Sequence, residues 1–187
     1  YDAKPLGMQM NVGGVFDGRY VYYCAYANSH MVRYDTQEDF EDGGSWTCYD
    51  AANTSGCDTG GFDGGYFDGR FVYFVPYQRQ VEEGEDKSIY HSNYLRYDTR
   101  GDFQDPGSWV GTDASRIDGL SSVGYNAGAF DGRYFYAAPG FDPDNDKMHG
   151  RILRYDTLGE NGSFSLRYCD YGHNGGLCAA VPGPARS

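Results

Sequence analysis

The sequence predicts an all-β protein made of repeated units, each with four antiparallel strands. The composition favours strands and tight turns, because the 187 residues include 19 Tyr, 11 Phe and 28 Gly. The segment Phe-Asp-Gly-Arg, followed by aromatic residues, occurs three times, beginning at Phe16, Phe67 and Phe130. Asp-Gly between two apolar runs is a strong hairpin signal, and we expect a positive φ at both turn residues. A hairpin that recurs at this spacing indicates a repeat protein.

Each unit continues in the same order after this turn. The second strand is apolar at nearly every position, which indicates burial on both faces. These second strands cover residues 19–26, 70–77 and 133–138. A loop of variable length leads to a third strand, which ends in Arg-Tyr-Asp-Thr at 33–36, 96–99 and 154–157. Trp46 and Trp109 open a fourth strand in the first two units, and Phe164 takes the corresponding place in the third.

The order of these features resembles a blade of a kelch-like β-propeller. The shared features are the turn, a Tyr-Asp pair that ends the third strand and a Trp that opens the fourth. On this interpretation residues 1–187 form one repeat domain, with blades over 4–51, 52–114 and 115–170 and a partial blade over 171–187. Kelch units carry a Gly-Gly doublet after the second strand. The residues in that place here are Ala25-Tyr26, Pro76-Tyr77 and Pro139-Gly140.

Both ends of the chain carry parts of a unit. Tyr1-Asp2-Ala3 matches Tyr49-Asp50-Ala51, which closes the fourth strand of the first unit. Residues 174–183 resemble residues 126–140 but omit the Phe-Asp-Gly-Arg turn. Three blades leave sheet edges open, and three alternative arrangements would account for this. The chain is a segment of a larger propeller, or copies complete one another as an oligomer or fibre, or the blades stack openly.

The five cysteines suggest two local disulfides. Two pairs each bracket eight residues, namely Cys48 with Cys57 and Cys169 with Cys178. This pairing leaves Cys24 unpaired, and the alternative is five small thiols without bonds between them.

Sequons and paired cysteines indicate an extracellular or cell-surface location. Asn53 and Asn161 begin N-x-Ser/Thr sequons, which together with paired cysteines fit an oxidising compartment and a glycoprotein. The formal net charge of −12 makes nucleic acid and anionic membranes unfavourable partners, whereas an acidic surface suits cations or neutral sugars. No apolar run is long enough to span a membrane, so membrane insertion is not expected.

The loops between the second and third strands are the expected ligand-binding face. Strand alternation places these loops on one side of the blades, where propellers usually bind ligands. The candidate residues are Tyr77, Tyr90, His91, Phe141 and His149. His91 and His149 lie five residues before the Arg of Arg-Tyr-Asp-Thr, and His30 lies three residues before it. These unequal offsets favour independent surface or strand-edge positions over one shared metal site.

The third of these loops carries alternating carboxylates. Asp142, Asp144 and Asp146 follow the Asp-x-Asp-x-Asp pattern with which calcium loops begin. An EF-hand would have Gly at its sixth position and Glu at its twelfth, and Lys147 and Leu153 stand there instead. The expectation is therefore a looser calcium site, with a solvated acidic loop as the alternative.

The remaining charges of the repeat are expected to be structural. The Asp of Phe-Asp-Gly-Arg suits the turn, and the Arg beside it suits an ion pair with the Asp of Arg-Tyr-Asp-Thr. Those partners, Asp35, Asp98 and Asp156, are also expected to cap the turn that leads to the fourth strand.

No catalytic residue is selected by any motif in the sequence. The sequence therefore favours a non-catalytic extracellular repeat protein for binding or assembly. It would be either a module for carbohydrate or another ligand, or a structural subunit of a surface fibre. The alternative is a secreted propeller enzyme that acts on glycans, or a fragment of one, with a carboxylate pair that the sequence does not identify. The expected partners are other copies, neighbouring blades and glycans.

Overall fold

The structure, a computed structural model, describes residues 1–80, 88–158 and 163–167. Within these ranges the regular structure consists of β-strands and short 3₁₀ turns, without an α-helix. The aromatic and β-branched runs form the strands, and the Gly-rich and Asp-rich segments form the connections, in line with their backbone preferences. The all-β prediction is confirmed.

The strands, numbered along the chain, form three four-stranded antiparallel sheets with short hairpins between them. Sheet 1 contains β1 (Asn11–Phe16), β2 (Tyr20–Ala25), β3 (His30–Asp35) and β4 (Trp46–Asp50). Sheet 2 contains β5 (Phe62–Phe67), β6 (Phe71–Pro76), β9 (Asn93–Asp98) and β10 (Trp109–Asp113), with a hairpin of β7 (Gln78–Gln80) and β8 (Ser88–Tyr90) inserted after β6. A second hairpin, of β11 (Arg116–Ile117) and β12 (Leu120–Ser121), leads to sheet 3. Sheet 3 contains β13 (Tyr125–Phe130), β14 (Tyr134–Pro139), β17 (Ile152–Asp156) and β18 (Ser163–Arg167), with a hairpin of β15 (Phe141–Asp142) and β16 (Lys147–Met148) inserted after β14. The 3₁₀ turns cover Lys4–Leu6, Gly43–Ser45, Thr54–Gly56 and Pro106–Ser108.

A side-chain network closes the turn between the first two strands of every sheet. In sheet 1, Asp17 Oδ1 accepts hydrogen bonds from the backbone N–H of Arg19 (2.8 Å) and of Tyr20 (2.7 Å). Asp17 Oδ2 accepts a third from the hydroxyl of Tyr22 (2.7 Å). The Asp of the second and third repeats makes the same three bonds. The predicted turn role of this Asp is confirmed.

The backbone of the turn differs from the expectation. Gly18, Gly69 and Gly132 have φ of 105°, 102° and 99°, whereas the preceding Asp has no positive φ. Asp17 N–H donates to the carbonyl oxygen of Tyr20, so the central turn positions hold Gly and Arg. The expectation of positive φ at Asp is wrong, because Asp stands one position earlier and bonds through its side chain.

An ion pair joins the turn before the second strand of each sheet to the end of the third strand. Arg Nη2 lies 2.6, 2.6 and 2.9 Å from Asp Oδ2 in sheets 1, 2 and 3. The pairs are Arg19–Asp35, Arg70–Asp98 and Arg133–Asp156. Each Asp also accepts the backbone N–H two residues further on, at 3.1 Å. Both the predicted pairing and the predicted cap are confirmed.

The sheets pack face to face in sequence order, with an aromatic core in each of the two spaces between them. β1 contacts β5 and β5 contacts β13, so the first strands are neighbours. The first core centres on Tyr97, Phe103 and Trp109, and the second on Tyr66, whose ring centroid lies 4.1 Å from that of Phe135. Because sheet 2 is covered on both sides, β6 is buried at five of its six positions, whereas β14 alternates. Two-sided burial of the second strand is therefore confirmed for β6 and wrong for β14, and β2 meets it only in part, with three buried and three half-buried positions.

Each first strand contains a β-bulge where it approaches a neighbouring sheet. Gly13, Gly64 and Ala127 take the same place in their repeats and have φ of 71°, 87° and 37°. A Cβ on Gly64 would lie 3.0 Å from the Cβ of Ala127. Glycine therefore permits both the bulge and the close approach of the strands, and Ala127 adopts the same conformation with some strain.

The three sheets extend over residues 11–50, 62–113 and 125–167 and are compatible with blade-like repeats. In the ranges that the structure describes there is no fourth four-stranded sheet and no closed ring. The partial blade predicted over 171–187 lies outside the described residues. The blade boundaries and ring closure stay predictions.

Candidate functional site

Four aromatic side chains form a row that runs from sheet 1 to sheet 3. Tyr26 follows β2, Tyr77 precedes β7, Tyr90 ends β8 and Phe141 begins β15. Successive ring centroids along this aromatic row are 6.3, 5.2 and 5.0 Å apart, and all four side chains are partly exposed. The row forms because each residue lies in the connection after the second strand of its sheet, and these connections lie side by side in packed sheets.

The polar groups along the aromatic row are mostly neutral. Gln78 Nε2 donates to the hydroxyl of Tyr26 at 2.6 Å, which links the β7–β8 hairpin to sheet 1. Burial and a hydrogen bond with its neighbour in the row raise the pKa of Tyr77 to about 12, so this phenol is protonated at neutral pH. Next to Gln78, Arg79 forms an ion pair with Asp58 at 2.6 Å. The row therefore offers ring surface, phenol hydroxyls and an amide.

The structure brings together three of the five residues predicted for the ligand face. Tyr77, Tyr90 and Phe141 are consecutive in the aromatic row. Tyr26, the fourth ring of the row, and Gln78, whose amide bonds to the Tyr26 hydroxyl, were missed by the sequence interpretation. The missing signal was spacing, because Tyr26 follows its repeat Phe at the same distance as Tyr77 follows Phe67.

His91 and His149 face the backbone and not the aromatic row. Nδ1 of each accepts the backbone N–H two residues further on, at 3.3 Å. The rings pack edge-on against Phe62 and Tyr125, with centroids 6.5 and 5.2 Å apart, and His149 Nε2 lies 3.1 Å from the carbonyl oxygen of Val123. Burial lowers the pKa of both imidazoles, so they are neutral at neutral pH. Their predicted place on the ligand face is corrected to a structural one, because both rings are used to shape the start of the third strand.

In sheet 1 the same structural position is held by Asn28. Its Oδ1 accepts the backbone N–H of His30 at 3.1 Å, and its Nδ2 donates to the carbonyl oxygen of Gly7 at 2.8 Å. Asn28, His91 and His149 all lie five residues before the Arg of Arg-Tyr-Asp-Thr. The unequal histidine offsets are thereby explained, since His30 is not the counterpart of the other two.

The acidic loop of sheet 3 is organised around a buried ion pair. Asp142 is fully buried, and its Oδ2 lies 2.7 Å from Arg151 Nη2 and accepts a hydrogen bond from Asn145 Nδ2 (2.9 Å). Its Oδ1 accepts the backbone N–H of Asp144 (3.1 Å). Burial alone would raise the pKa of Asp142, but the bonds from Arg151 and Asn145 outweigh it and lower that pKa. Asp146 stands in the turn with φ of 50°.

These contacts correct the calcium prediction for Asp142, Asp144 and Asp146. Across the described part of the chain, no three His, Cys, Asp or Glu side chains are grouped so that they could hold a metal ion. The carboxylate of Asp142, which would have been the first ligand, closes the β15–β16 hairpin and neutralises Arg151. The alternating pattern therefore shapes a hairpin.

The predicted disulfide between Cys48 and Cys57 is wrong, because both are free thiols. Cys48 lies in β4, opposite Val32 of β3. Cys57 instead lies against β10, where a Cβ on Gly111 would be 3.2 Å from the Cys57 Cβ. The intervening loop leaves sheet 1 and packs on sheet 2, so the two cysteines are directed to different sheets.

The other predicted modification sites have mixed outcomes. Cys24 is free, as predicted, and its burial raises the pKa of its thiol to about 12. Asn53 is exposed before the 3₁₀ turn Thr54–Gly56, and its glycosylation stays a prediction. Cys169, Cys178 and Asn161 lie outside the described residues.

The described ranges contain no helix with the length and apolar character needed to cross a membrane.

Comparison of the chain with protein-family models and with curated protein sequences returns no match. The resemblance to kelch-like blades therefore rests on the repeat pattern and on the three four-stranded sheets.

Proposed function

We propose that the protein is a non-catalytic binding module whose aromatic row holds a neutral glycan. The observation that carries the proposal is the row itself, in which four rings follow one another from sheet 1 to sheet 3 at 5.0 to 6.3 Å. Aromatic faces suit the apolar C–H surface of a sugar ring, and phenol and amide groups suit its hydroxyls. A row of this extent suits several sugar units better than a single small molecule.

Charge supports a neutral ligand. The chain has a formal net charge of −12, which repels sulfated or phosphorylated polymers. The cation nearest to the row in sequence, Arg79, is paired with Asp58. The row thus offers aromatic and hydrogen-bonding surface, and the positive charge of Arg79 beside it is neutralised by Asp58.

We infer further that the three sheets are blades of a kelch-like β-propeller that acts outside the cell. The repeated order of turn, Tyr-Asp pair and Trp supports the blade assignment. Packing of the first strands of neighbouring sheets against one another also supports it. The exposed sequon at Asn53 is compatible with export.

Binding of the intact chain to a panel of neutral and acidic glycans tests this function. Tyr77→Ala and Tyr90→Ala each remove one ring from the row, and we expect each to weaken binding of a neutral glycan about tenfold. Tyr77→Phe keeps the ring and should weaken binding less. Phe16→Ala is the matched control, because Phe16 is 56% exposed and lies outside the row. Isothermal titration calorimetry gives the affinities.

Two results would contradict the proposal. One is a wild-type chain that retains no neutral glycan, and the other is binding that Phe16→Ala weakens as much as Tyr77→Ala. Cleavage of a bound glycan would instead support the enzyme alternative, which stays a prediction.

A further inference from the structure

Sheet 1 carries a partly exposed aromatic cluster that duplicates a buried one in sheet 2. The outer cluster consists of Tyr34, Phe40 and Trp46, and the covered cluster consists of Tyr97, Phe103 and Trp109. In the outer cluster the Tyr–Phe, Phe–Trp and Tyr–Trp ring centroids are 5.3, 5.3 and 4.7 Å apart. In the covered cluster the same separations are 5.2, 5.2 and 4.7 Å. The two clusters therefore have the same shape.

The surroundings of the two indoles also correspond. Each Trp Nε1 donates to the backbone oxygen of the Phe in its cluster, at 3.1 Å in the outer and 2.8 Å in the covered cluster. Tyr1 stacks on Trp46 with centroids 4.7 Å apart and planes at 13°, and Tyr49 stacks on Trp109 at 4.7 Å and 12°. The outer cluster is thus already in the conformation that the covered cluster has beneath another sheet.

Besides Tyr49, two further side chains of sheet 1 cover this cluster. The ring of Tyr22 lies 5.8 Å from that of Tyr97 and 6.0 Å from that of Phe103. Arg33 lies 4.5 Å over the ring of Phe103 and donates to the hydroxyl of Tyr97 at 3.2 Å. With this cover Phe103 is 0% exposed, whereas its counterpart Phe40 is 47% exposed. The outer cluster therefore has space for an aromatic ring and a guanidinium group in the positions that Tyr22 and Arg33 occupy on the covered cluster.

Sheet 3 carries an aromatic ring and a guanidinium group on its far face, which is the face directed away from sheet 2. Tyr136 and Arg154 occupy the repeat positions of Tyr22 and Arg33. Tyr136 lies 6.3 Å from the ring of Tyr134 at 52°, which is also the geometry of Tyr22 with its own neighbour in β2. Arg154 lies 4.5 Å over Tyr134, close to the 4.3 Å of Arg33 over the corresponding ring.

The same face of sheet 3 is apolar and exposed around these groups. Ile152 is 43% exposed, whereas Met31, which holds its position in sheet 1, is 1% exposed beneath sheet 2. Tyr136 is 36% exposed, whereas Tyr22 is 1% exposed. Among the described residues, Tyr136 and Ile152 of sheet 3 are thus much more exposed than their counterparts on the covering face of sheet 1.

We propose that sheet 3 of one copy of this chain covers the outer cluster of a second copy, head to tail. The contact repeats the one between sheets 1 and 2, with Tyr136 and Arg154 placed on Tyr34 and Phe40 of the other copy. Such a contact is heterologous. It gives a closed dimer if sheet 3 of the second copy also covers the outer cluster of the first. Two copies would then bring together six sheets, which is within the usual range for propellers. This inference goes beyond glycan binding, because it does not involve the aromatic row.

Two substitutions on opposite faces test the head-to-tail contact. Phe40→Glu places a charge in the outer cluster, and Ile152→Glu places one on the far face of sheet 3. Both residues are exposed in the single chain, so both variants should fold, which circular dichroism checks. Leu158→Glu is the matched control, because Leu158 is 73% exposed and lies in the turn after β17.

Sedimentation velocity over a concentration series supplies the result. Wild type and Leu158→Glu should rise from 20.8 kDa to at least twice that mass. Phe40→Glu alone and Ile152→Glu alone should stay at 20.8 kDa, since every contact between like copies then contains a buried charge. Their equimolar mixture should form a species of twice the mass, because one intact contact remains.

Three outcomes would overturn the inference. The first is a wild type that stays at 20.8 kDa at every concentration. The second is association of Phe40→Glu to the same extent as wild type. The third is a mixture of the two variants that stays at the mass of one chain.

Discussion

The outer cluster of sheet 1 and the covered cluster of sheet 2 have the same ring geometry in opposite surroundings. Phe40 is 47% exposed and Phe103 is 0% exposed, yet the ring separations agree within 0.1 Å. Cover by a neighbouring sheet is therefore not what sets the arrangement of the rings. The arrangement must come from inside the unit.

Three local features within each unit explain this agreement. Tyr34 pairs with Trp46 across β3 and β4, and Tyr97 pairs with Trp109 across β9 and β10. An Asp side chain caps the 3₁₀ turn before each Trp by accepting a backbone N–H. The Trp Nε1 bond to the Phe carbonyl then fixes the loop between them. The repeat thus sets the geometry, and the neighbouring sheet contributes the burial.

The largest expected effect is a difference in stability between two variants, which separates the contribution of the repeat from that of the neighbouring sheet. Phe103→Ala leaves a cavity between sheets 1 and 2 and should lower the free energy of unfolding by about 3–5 kcal/mol. Phe40→Ala removes a ring that is half exposed and should cost about 1 kcal/mol or less. Urea denaturation of both variants, at concentrations at which the chain is monomeric, measures the difference. Equal losses of unfolding free energy would contradict the difference in burial between the two clusters.

A smaller effect should be the same in both sheets. Trp46→Phe and Trp109→Phe each delete the Nε1 bond to a backbone carbonyl oxygen, and we expect each to lower the free energy of unfolding by about 1–2 kcal/mol. Both indoles are buried, at 8% and 3% exposure, so the loss should not depend on the neighbouring sheet. A loss confined to Trp109→Phe in urea denaturation would contradict a geometry set within the unit.

The sequence predicted the features that are determined by residues close together in the chain. Asp17 bonds to Arg19, Tyr20 and Tyr22 within one turn, and the motif appears three times, so its structural role could be recognised without a neighbouring sheet. The ion pair between the second and third strands was predicted for the same reason, since antiparallel neighbours bring the two ends of the repeat together.

The features that the sequence interpretation missed depend on contacts between units or within inserted hairpins. The loop before Cys57 packs on Gly111 of the next sheet, and nothing in an eight-residue spacing between cysteines indicates this. Asp142 pairs with Arg151 because the β15–β16 hairpin folds the chain back, which an alternating acidic pattern does not reveal. The aromatic row required the side-by-side placement of three connections, and only the shared spacing of Tyr26 and Tyr77 pointed to it.

The smallest expected effect is a pH dependence that the two sheets share. Hydrogen bonds from Arg19 and Arg70 lower the pKa of Asp35 and Asp98 below the ordinary value of about 3.9. The stability from each pair is therefore present above that ordinary value and is lost as the pH falls through the lower pKa of the folded state. Asp35→Asn and Asp98→Asn remove the charge but keep an oxygen for the backbone N–H that caps the turn.

Both variants should therefore be less stable than wild type at neutral pH, and the deficit should shrink as acid protonates the wild-type carboxylate. Because Arg Nη2 and Asp Oδ2 are 2.6 Å apart in both sheets, and each Arg is about half exposed, the two deficits should be small and alike. Urea midpoints measured from neutral to acid pH supply the profile. A deficit that is independent of pH would mean that the carboxylate acts through its shape alone. A deficit in only one sheet would mean that the neighbouring sheet alters the pair, as it alters the exposure of Phe40 and Phe103.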